Sequence, residues 1–297
     1  MGFSSSFKNT SAWWVRYDKY EYKKDDNGVL YILPAPQANP RPYDPMETPE
    51  QLVLDAVNTG MLLMQREKKE IVKQAVFDLI SKYGMLGLMT ALPTTPDFID
   101  YEAVYLTPNH FIKDETMTTE KYMDIFFPFE KLDFVKRGQE SCWNVSGDDK
   151  MMAALAMTFG NGPQAVNMGF QRHYAERYDW ICTQLKDLAF SLVTPTLYYN
   201  DYDSIDETTR DLYRQGMAAF GGLAPTYRIV LKEQPTLVWN FYSLISCVQM
   251  IFSFMLTDET HPLKLCKNCM KAFIPSRPNA VFCGTECKNK YSYKKDE

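Results

Sequence analysis

Four of the seven cysteines lie close together near the C-terminus, and this cluster constrains the fold more than any other feature of the 297-residue chain. The spacing is Cys266-x2-Cys269-x13-Cys283-x3-Cys287. Two such pairs of thiolates are typical ligands of closed tetrahedral zinc sites, which are structural and not catalytic. The sequence therefore predicts one structural Zn²⁺ bound by these four residues.

Two other uses of the cysteines are disfavoured by the surrounding sequence. A disulfide framework accompanies secretion, but the N-terminus shows no apolar signal segment. A redox dithiol at Cys266 and Cys269 would follow a strand within a βαβ unit, and the sequence indicates no such unit. The remaining three cysteines are scattered among apolar or aromatic residues. This distribution favours one metal site plus free thiols, and therefore a reducing, cytoplasmic location.

Residues 261–297 are predicted to form a small Cys₄ zinc finger, consisting of a knuckle, a hairpin and a helix. Cys266 and Cys269 lie on the tight turn of the knuckle. Residues 272–274 and 280–282 read as two short strands around a turn. Cys283 and Cys287 are four residues apart, so both sulfurs can share one face of a final helix.

The charge of the chain is distributed unevenly. After His261, eight Lys or Arg residues accompany three acidic residues, whereas the preceding residues carry 24 Lys or Arg and 34 acidic residues. A basic end on an acidic body favours a polyanion partner, and the prediction is DNA or RNA contact through the finger. The candidate contact residues are Arg277, Lys288, Asn289, Lys290, Lys294 and Lys295.

Two alternatives to nucleic-acid binding stay open for this basic end. The lysines of the last helix are spread around its axis instead of lining one face, which is also typical of a solvated chain end. A zinc-stabilised adaptor for protein–protein interaction is the second alternative. Lysine side chains contact phosphates as point charges, so the pattern favours phosphate contact over sequence reading.

Residues 1–260 are predicted to be a mainly α domain with a minor β contribution. The β part is an N-terminal hairpin around Asp26-Asn27-Gly28, because an Asn-Gly pair suits a tight hairpin turn. A proline-rich stretch at 34–45 reads as an extended connector. Helices then follow from Thr48-Pro49 onward, one of them at about residues 148–159. With 14% aromatic residues and 16 Met, the body could also contain an aromatic-lined pocket for a small-molecule effector.

The segment Thr236–Leu256 has no charged residue and is long enough to span a bilayer. It nevertheless contains a polar residue every three or four positions, and each would need a partner in lipid. The favoured interpretation is a buried helix opened by Pro235, in a protein without a membrane part, and a membrane segment stays the alternative. The polar residues are Asn240, Ser243, Ser246, Gln249 and Ser253.

No catalytic constellation can be found in the sequence. The chain has three histidines, and the pair His173 and Glu176 lacks a second metal ligand or base, which favours a surface or capping role. No phosphate-binding glycine loop and no nucleophile elbow is present. The finger offers only sulfur ligands and no histidine after His261, so nuclease chemistry is also disfavoured. The chain is therefore not expected to be an enzyme.

The finger resembles the C-terminal zinc finger of bacterial CGNR-type proteins over about residues 263–295. The resemblance rests on the Cys-x2-Cys pair, the Ser-Arg turn, Phe282-Cys283, and the run Glu286-Cys287-Lys288-Asn289-Lys290. In that family the last ligand opens the sequence Cys-Gly-Asn-Arg, so Gly and Arg are both replaced here. The resemblance implies an ABATE-like helical N-terminal domain and a role as a stress-linked transcription regulator.

Overall fold

The computed structural model describes residues 7, 9–88, 103–105, 116–129, 172–218, 220, 225–241, 243–277 and 279–293. A helix predicted at about 148–159 lies outside these residues. The described part contains twelve strands in five sheets and seven α-helices, with one 3₁₀ turn at Pro45–Glu47.

The strands are short, from two to six residues. In chain order they are β1 (Thr10–Ser11), β2 (Trp14–Tyr17), β3 (Tyr20–Lys24), β4 (Leu30–Pro34), β5 (Pro40–Tyr43), β6 (Ala103–Tyr105), β7 (Thr116–Thr118), β8 (Glu176–Arg177), β9 (Thr226–Leu231), β10 (Pro235–Asn240), β11 (Lys264–Leu265) and β12 (Ala272–Phe273). The helices are α1 (Pro49–Met64), α2 (Lys69–Tyr83), α3 (Thr119–Phe126), α4 (Tyr178–Asn200), α5 (Glu207–Ala218), α6 (Leu244–Leu256) and α7 (Thr285–Tyr293).

The prediction of a mainly α fold with a minor β contribution is wrong, because strands recur along the whole described chain. The proline-rich stretch at 34–45 contains β5, which pairs with β2. Proline is tolerated there because β5 is paired on one side only. The predicted helix opening at Pro235 is instead β10 followed by α6, which begins at Leu244. The hairpin at Asp26-Asn27-Gly28 is confirmed as β3–β4, with Gly28 at a φ of 80°.

The chain divides into two compact units. One consists of Met1–Trp14, Asp44–Leu79 and Cys182–Glu297, and the other of Val15–Tyr43 and Ile80–Ile181. The boundary predicted between residues 260 and 261 falls inside the first unit.

Helices α1, α4 and α6 form the core of the first unit. Ser243 directly precedes helix α6, and its hydroxyl accepts a hydrogen bond from the Ser246 amide at 3.2 Å. This N-cap bond satisfies one of the free amides at the helix start. Gly60 of α1 lies directly against the backbone of α4 at Leu185. Its missing side chain allows the two helices to approach closely.

A three-stranded sheet of order β1-β10-β9 completes this part of the first unit. Strand β10 pairs in parallel with β1 and antiparallel with β9. Thr236 and Val238 of β10 are buried, whereas Leu237 and Trp239, which alternate with them, are half-buried. Among the described residues, no helix is both long and apolar enough to cross a membrane.

A buried carboxylate, Glu176, organises the core of the second unit. Its side chain accepts hydrogen bonds from three consecutive backbone amides, those of Leu86, Gly87 and Leu88, and from the Tyr174 hydroxyl at 2.7 Å. The residue is 1% exposed. The surface or capping role predicted for Glu176 is therefore wrong. These four donors tie the segment after α2 to the strand β8.

Replacing Glu176 with Gln is expected to remove a pH-dependent part of the stability. Burial raises the pKa of this carboxyl, although the bonds from Tyr174 and the amides act to lower it. Because the pKa of the Glu176 carboxyl is higher in the folded than in the unfolded state, folding favours the neutral form of this carboxyl. The stabilisation that the neutral form provides is lost as the pH rises through the folded-state pKa. The free energy of unfolding of wild type minus that of Glu176→Gln should fall as the pH rises above 4.5, measured by urea denaturation over a series of pH values. A pH-independent difference would contradict this assignment.

Candidate metal centre

The first two cysteines lie on a knuckle between β11 and β12. Cys266 follows β11 directly, and its amide donates to the Lys271 carbonyl at 2.8 Å. The Met270 amide in turn donates to the Cys266 carbonyl at 2.8 Å, which closes the turn around Cys269. The short strands β11 and β12 pair antiparallel on either side. Local hydrogen bonding thus brings the first pair of sulfurs together.

The second pair lies at the start of the last helix. Cys283 precedes α7, and Cys287 is in its first turn. The Lys288 amide donates to the Gly284 carbonyl at 3.1 Å. This hydrogen bond belongs to the helical turn that separates the two cysteines. One backbone bond, from the Lys267 amide to the Val281 carbonyl at 2.9 Å, joins this segment to the knuckle.

The hairpin of the finger differs from the predicted one. Residues 272–274 and 280–282 were expected to pair with each other, but β12 (Ala272–Phe273) pairs with β11. Residues 280–282 form no strand, and their link to the knuckle is the Lys267–Val281 bond. The knuckle therefore carries the only sheet of the finger within its described residues.

The four sulfurs converge on one point. The Sγ atoms of Cys266, Cys269, Cys283 and Cys287 all lie within 4.8 Å of one another. The separation is 3.5 Å between Cys283 and Cys287 and 3.7 Å between Cys269 and Cys283. A tetrahedral ion with metal–sulfur bonds of about 2.3 Å requires sulfur–sulfur distances of about 3.8 Å. The four cysteines can therefore hold a metal ion.

The electrostatics of the cluster also call for a cation. Burial acts to raise the pKa of Cys266, but hydrogen bonds from the amides of Cys269, Cys283 and Asn268 outweigh it and lower this pKa to about 6. The pKa values of Cys269 and Cys283 are raised, first by partial loss of hydration within the cluster and then by neighbouring thiols. Four adjacent thiols cannot all ionise unless a cation neutralises them, so full ionisation depends on a metal.

Of the predicted nucleic-acid contacts, three are exposed without a described ion pair. These are Arg277 in the turn after β12 and Lys288 and Asn289 on α7. Lys290 instead forms an ion pair with Glu286, with a distance of 2.7 Å between Nζ and Oε1. Lys294 and Lys295 lie outside the described residues.

Two lysines near the knuckle were missed by the sequence prediction. Lys267 and Lys271 are both exposed. The Lys267 ammonium lies 5.6 Å from the ring centre of Tyr291, which itself packs on Phe282 at 5.2 Å between ring centres. Their position beside the first cysteine pair was the only signal in the sequence. They were missed because the prediction placed the basic surface on the last helix.

The knuckle is fastened to helix α1 by a side chain far away in sequence. The Asn58 amide nitrogen donates to the Ala272 carbonyl at 3.2 Å, and the Ala272 amide donates to the Asn58 Oδ1 at 2.8 Å. One side chain thus serves both backbone groups of a β12 residue, as a neighbouring strand would. Leu263, Leu265 and Ala272 are buried nearby. The finger is therefore attached to the rest of the first unit through its knuckle.

Replacing Asn58 with Ala should lower the free energy of unfolding by about 1–3 kcal/mol, because both groups of Ala272 lose their partner. Asn58→Asp tests the donor half of the contact separately. It keeps an oxygen that accepts from the Ala272 amide but places a carboxylate oxygen against the Ala272 carbonyl, where the wild type has an N–H donor. We expect Asn58→Asp to destabilise the chain at least as much as Asn58→Ala, measured by urea denaturation at pH 7. Wild-type stability in both variants would contradict the attachment.

The first unit also contains a cavity of about 600 Å³ at the start of α1. Its lining combines acidic and apolar side chains, among them Phe7, Asp44, Met46, Glu47, Glu50 and Leu54. The sequence predicted an aromatic-lined effector pocket, whereas among the described residues Phe7 is the one aromatic side chain that lines this cavity. Binding of a small-molecule effector stays a prediction.

No protein-family model, curated protein or solved structure matches this chain at a significant level. The resemblance to CGNR-type proteins therefore stays a prediction that rests on the residues of the finger. What the protein does has to be argued from the cysteine cluster and the surface around it.

Proposed function

We propose that this protein is a cytoplasmic, nucleic-acid-binding regulatory protein, in which one structural Zn²⁺ shapes residues 261–297 for contact with the phosphates of DNA or RNA. The observation that carries the proposal is the set of exposed cations around the cysteine cluster, at Lys267, Lys271, Arg277 and Lys288.

The choice of zinc follows from the ligands. Four thiolates without carboxylate or histidine ligands suit Zn²⁺, which has no redox chemistry and favours a closed tetrahedron. A magnesium or calcium ion would require oxygen ligands. A complete set of four protein ligands leaves no position for water or substrate, so the ion holds the chain together and catalyses nothing.

The finger keeps a positive charge after the metal is counted. Residues 262–293 carry six Lys or Arg and one acidic residue, Glu286. Four thiolates and one Zn²⁺ add a net charge of −2, so this part of the chain retains about +3. The rest of the chain is acidic, which makes the finger the natural place for a polyanion.

The exposed side chains suit phosphate and base stacking better than sequence reading. Lysine contacts a phosphate as a point charge, and Arg277 and Asn289 are the two side chains with a geometry for base edges. Tyr293 is 76% exposed and could stack on a base. Tyr291 is occupied by its contact with Phe282. We therefore expect weak sequence preference and a strong dependence on salt.

The binding test uses the zinc-loaded full chain with fluorescent duplex DNA and single-stranded RNA in anisotropy titrations. Four phosphate contacts on duplex DNA, at a slope of about −0.9 each, predict an affinity loss of about 100-fold between 50 and 200 mM salt. The double variant Lys271→Glu with Lys288→Glu should bind at least about tenfold more weakly at low salt, because two contacts become repulsive.

The matched control carries the same charge change away from the finger. Lys68 and Lys69 are exposed residues at the start of α2, and their replacement by Glu should leave the affinity within about twofold. If the finger and control variants weaken binding equally, net charge alone explains the affinity. If wild type binds neither DNA nor RNA at 50 mM salt, the proposal fails.

Exposed apolar side chains favour a second candidate, a zinc-stabilised adaptor that binds a protein. Met270 beside the knuckle is 40% exposed and Val281 is 47% exposed. Contiguous apolar patches mark protein-binding surfaces, whereas single exposed apolar residues are ordinary, so two such residues make this the weaker candidate. The same titration separates the two candidates, because an adaptor shows no affinity for nucleic acid at low salt.

A further inference from the structure

The four cysteines of the metal cluster are unequally protected from water. Cys266 is fully buried, and Cys269 and Cys287 are intermediate, whereas Cys283 is exposed. The residue after Cys283 is Gly284, and a side-chain carbon added there would meet no atom within 4 Å. The approach to Cys283 is therefore open to a small molecule.

Cys283 also lies close to two other sulfurs of the cluster. Its Sγ lies 3.5 Å from that of Cys287 and 3.7 Å from that of Cys269. A disulfide bond is about 2.05 Å long, so a movement of about 1.5 Å joins Cys283 to Cys287. The remaining described thiols, Cys182 and Cys247, are buried in the helical part of the unit.

We propose that Cys283 is an oxidation site through which a peroxide ejects the metal from the finger and switches its binding surface off. This proposal concerns the regulation of the site proposed above. Metal ejection rests only on the cysteine cluster, and its effect on nucleic acid rests in addition on the proposed function.

The chemistry balances with hydrogen peroxide as the two-electron oxidant. The Cys283 thiolate attacks one peroxide oxygen, the O–O bond breaks, and the departing hydroxide takes up a proton to become water. The resulting sulfenic acid is then attacked by the Cys287 thiolate. The S–S bond forms, the S–O bond breaks, and a second hydroxide leaves and is protonated to water. Two of the four ligands are thereby oxidised to a disulfide. Zn²⁺ then dissociates, and the two remaining thiolates can take up protons.

Loss of the metal separates the two parts of the finger. The knuckle stays attached to α1 through Asn58. Among its described links to the rest of the finger, the segment with α7 then keeps the Lys267–Val281 backbone bond, the bond from the Cys283 amide to the Cys266 sulfur, and the contact of Tyr291 with Lys267. Helix α7 contains no buried residue, so little packing holds it once the metal is gone.

The test treats the zinc-loaded full chain with hydrogen peroxide and follows released zinc with a chromogenic chelator. Tryptic mass spectrometry after alkylation identifies the oxidised cysteines over the same time course. We expect about one zinc released per disulfide formed, with Cys283 in the first disulfide. Reduction by dithiothreitol followed by added zinc should restore the metal content.

The control variant removes the three other thiols and keeps the cluster, as Cys142→Ala, Cys182→Ala and Cys247→Ala together. It should release zinc at the wild-type rate, because the proposed chemistry lies within the cluster. A first disulfide that lacks Cys283, zinc retained after the disulfide has formed, or release that disappears in the control variant would each overturn the proposal.

A second arm separates this proposal from the proposed function. Anisotropy with duplex DNA and single-stranded RNA before and after peroxide should show loss of binding in parallel with loss of zinc. If the untreated chain binds neither nucleic acid yet releases zinc with a Cys283 disulfide, the oxidation site stands and the nucleic-acid function falls. If binding persists after complete release of zinc, the switch is refuted.

Discussion

Removal of the metal by a chelator is expected to unfold the finger from Val281 through α7 while α1, α4 and α6 persist. The described part of the finger has few buried residues, which lie on or beside the knuckle, and α7 has none. Its stability must therefore come from the metal. Structural Zn²⁺ contributes on the order of 10–16 kcal/mol to folding in zinc-finger peptides, which is more than such packing supplies.

Hydrogen exchange followed by mass spectrometry measures this effect segment by segment. Amides of α7 should be protected in the zinc-loaded chain and exchange freely after chelation, whereas those of α1 and α6 stay protected. The variant Cys269→Ser should behave like the chelated chain. Its control, Cys182→Ala, removes a buried thiol outside the cluster and should keep α7 protected. Protection of α7 that survives loss of the metal would contradict this account.

Replacing Gly60 with Ala is expected to destabilise the helical core by about 3 kcal/mol or more. A Cβ at this position would lie 2.0 Å from the Leu185 carbonyl oxygen and 2.8 Å from the Ala189 Cβ. The nearest atom belongs to the backbone of α4, which cannot move aside as a flexible side chain can. Helices α1 and α4 would have to separate, and the contacts of the buried residues around them would weaken.

The chain offers a matched control for this substitution. Gly216 lies within α5, and a Cβ there would meet no atom within 4 Å. Gly216→Ala should therefore leave stability unchanged or raise it by up to about 1 kcal/mol, through the higher helix propensity of Ala. Adding Ala189→Gly to Gly60→Ala should not restore wild-type stability, because the Leu185 carbonyl remains in place. Equal effects of the two Gly→Ala changes in urea denaturation would contradict the close packing of α1 and α4.

The metal cluster could be predicted because its spacing is local. Cys266 and Cys269 share one turn, and Cys283 and Cys287 are separated by one helical turn, so the sequence alone indicates which sulfurs can meet. The attachment of the finger through Asn58 could not be predicted in this way. Asn58 and Ala272 are 214 residues apart, and a single asparagine in a helix gives no sign of a distant backbone partner.

Strand β10 was missed for a different reason. A half-buried strand reveals itself by alternating apolar and polar residues. In β10 both faces carry apolar side chains, with Val238 buried and Leu237 and Trp239 half-buried, so the alternation disappears. The uncharged run then continues into α6 and resembles one long helix. Glu176 was misjudged because three of its four partners are backbone amides, which leave no pattern in the sequence.

Metal content tests the central claim most directly. Elemental analysis of the purified, chelator-free chain should find one zinc per chain in wild type. None should be found in the variant Cys266→Ser, which removes the fully buried ligand. Wild-type protein that contains no zinc, and takes up none when titrated under reducing conditions, would contradict the claim that these four cysteines form a structural zinc site.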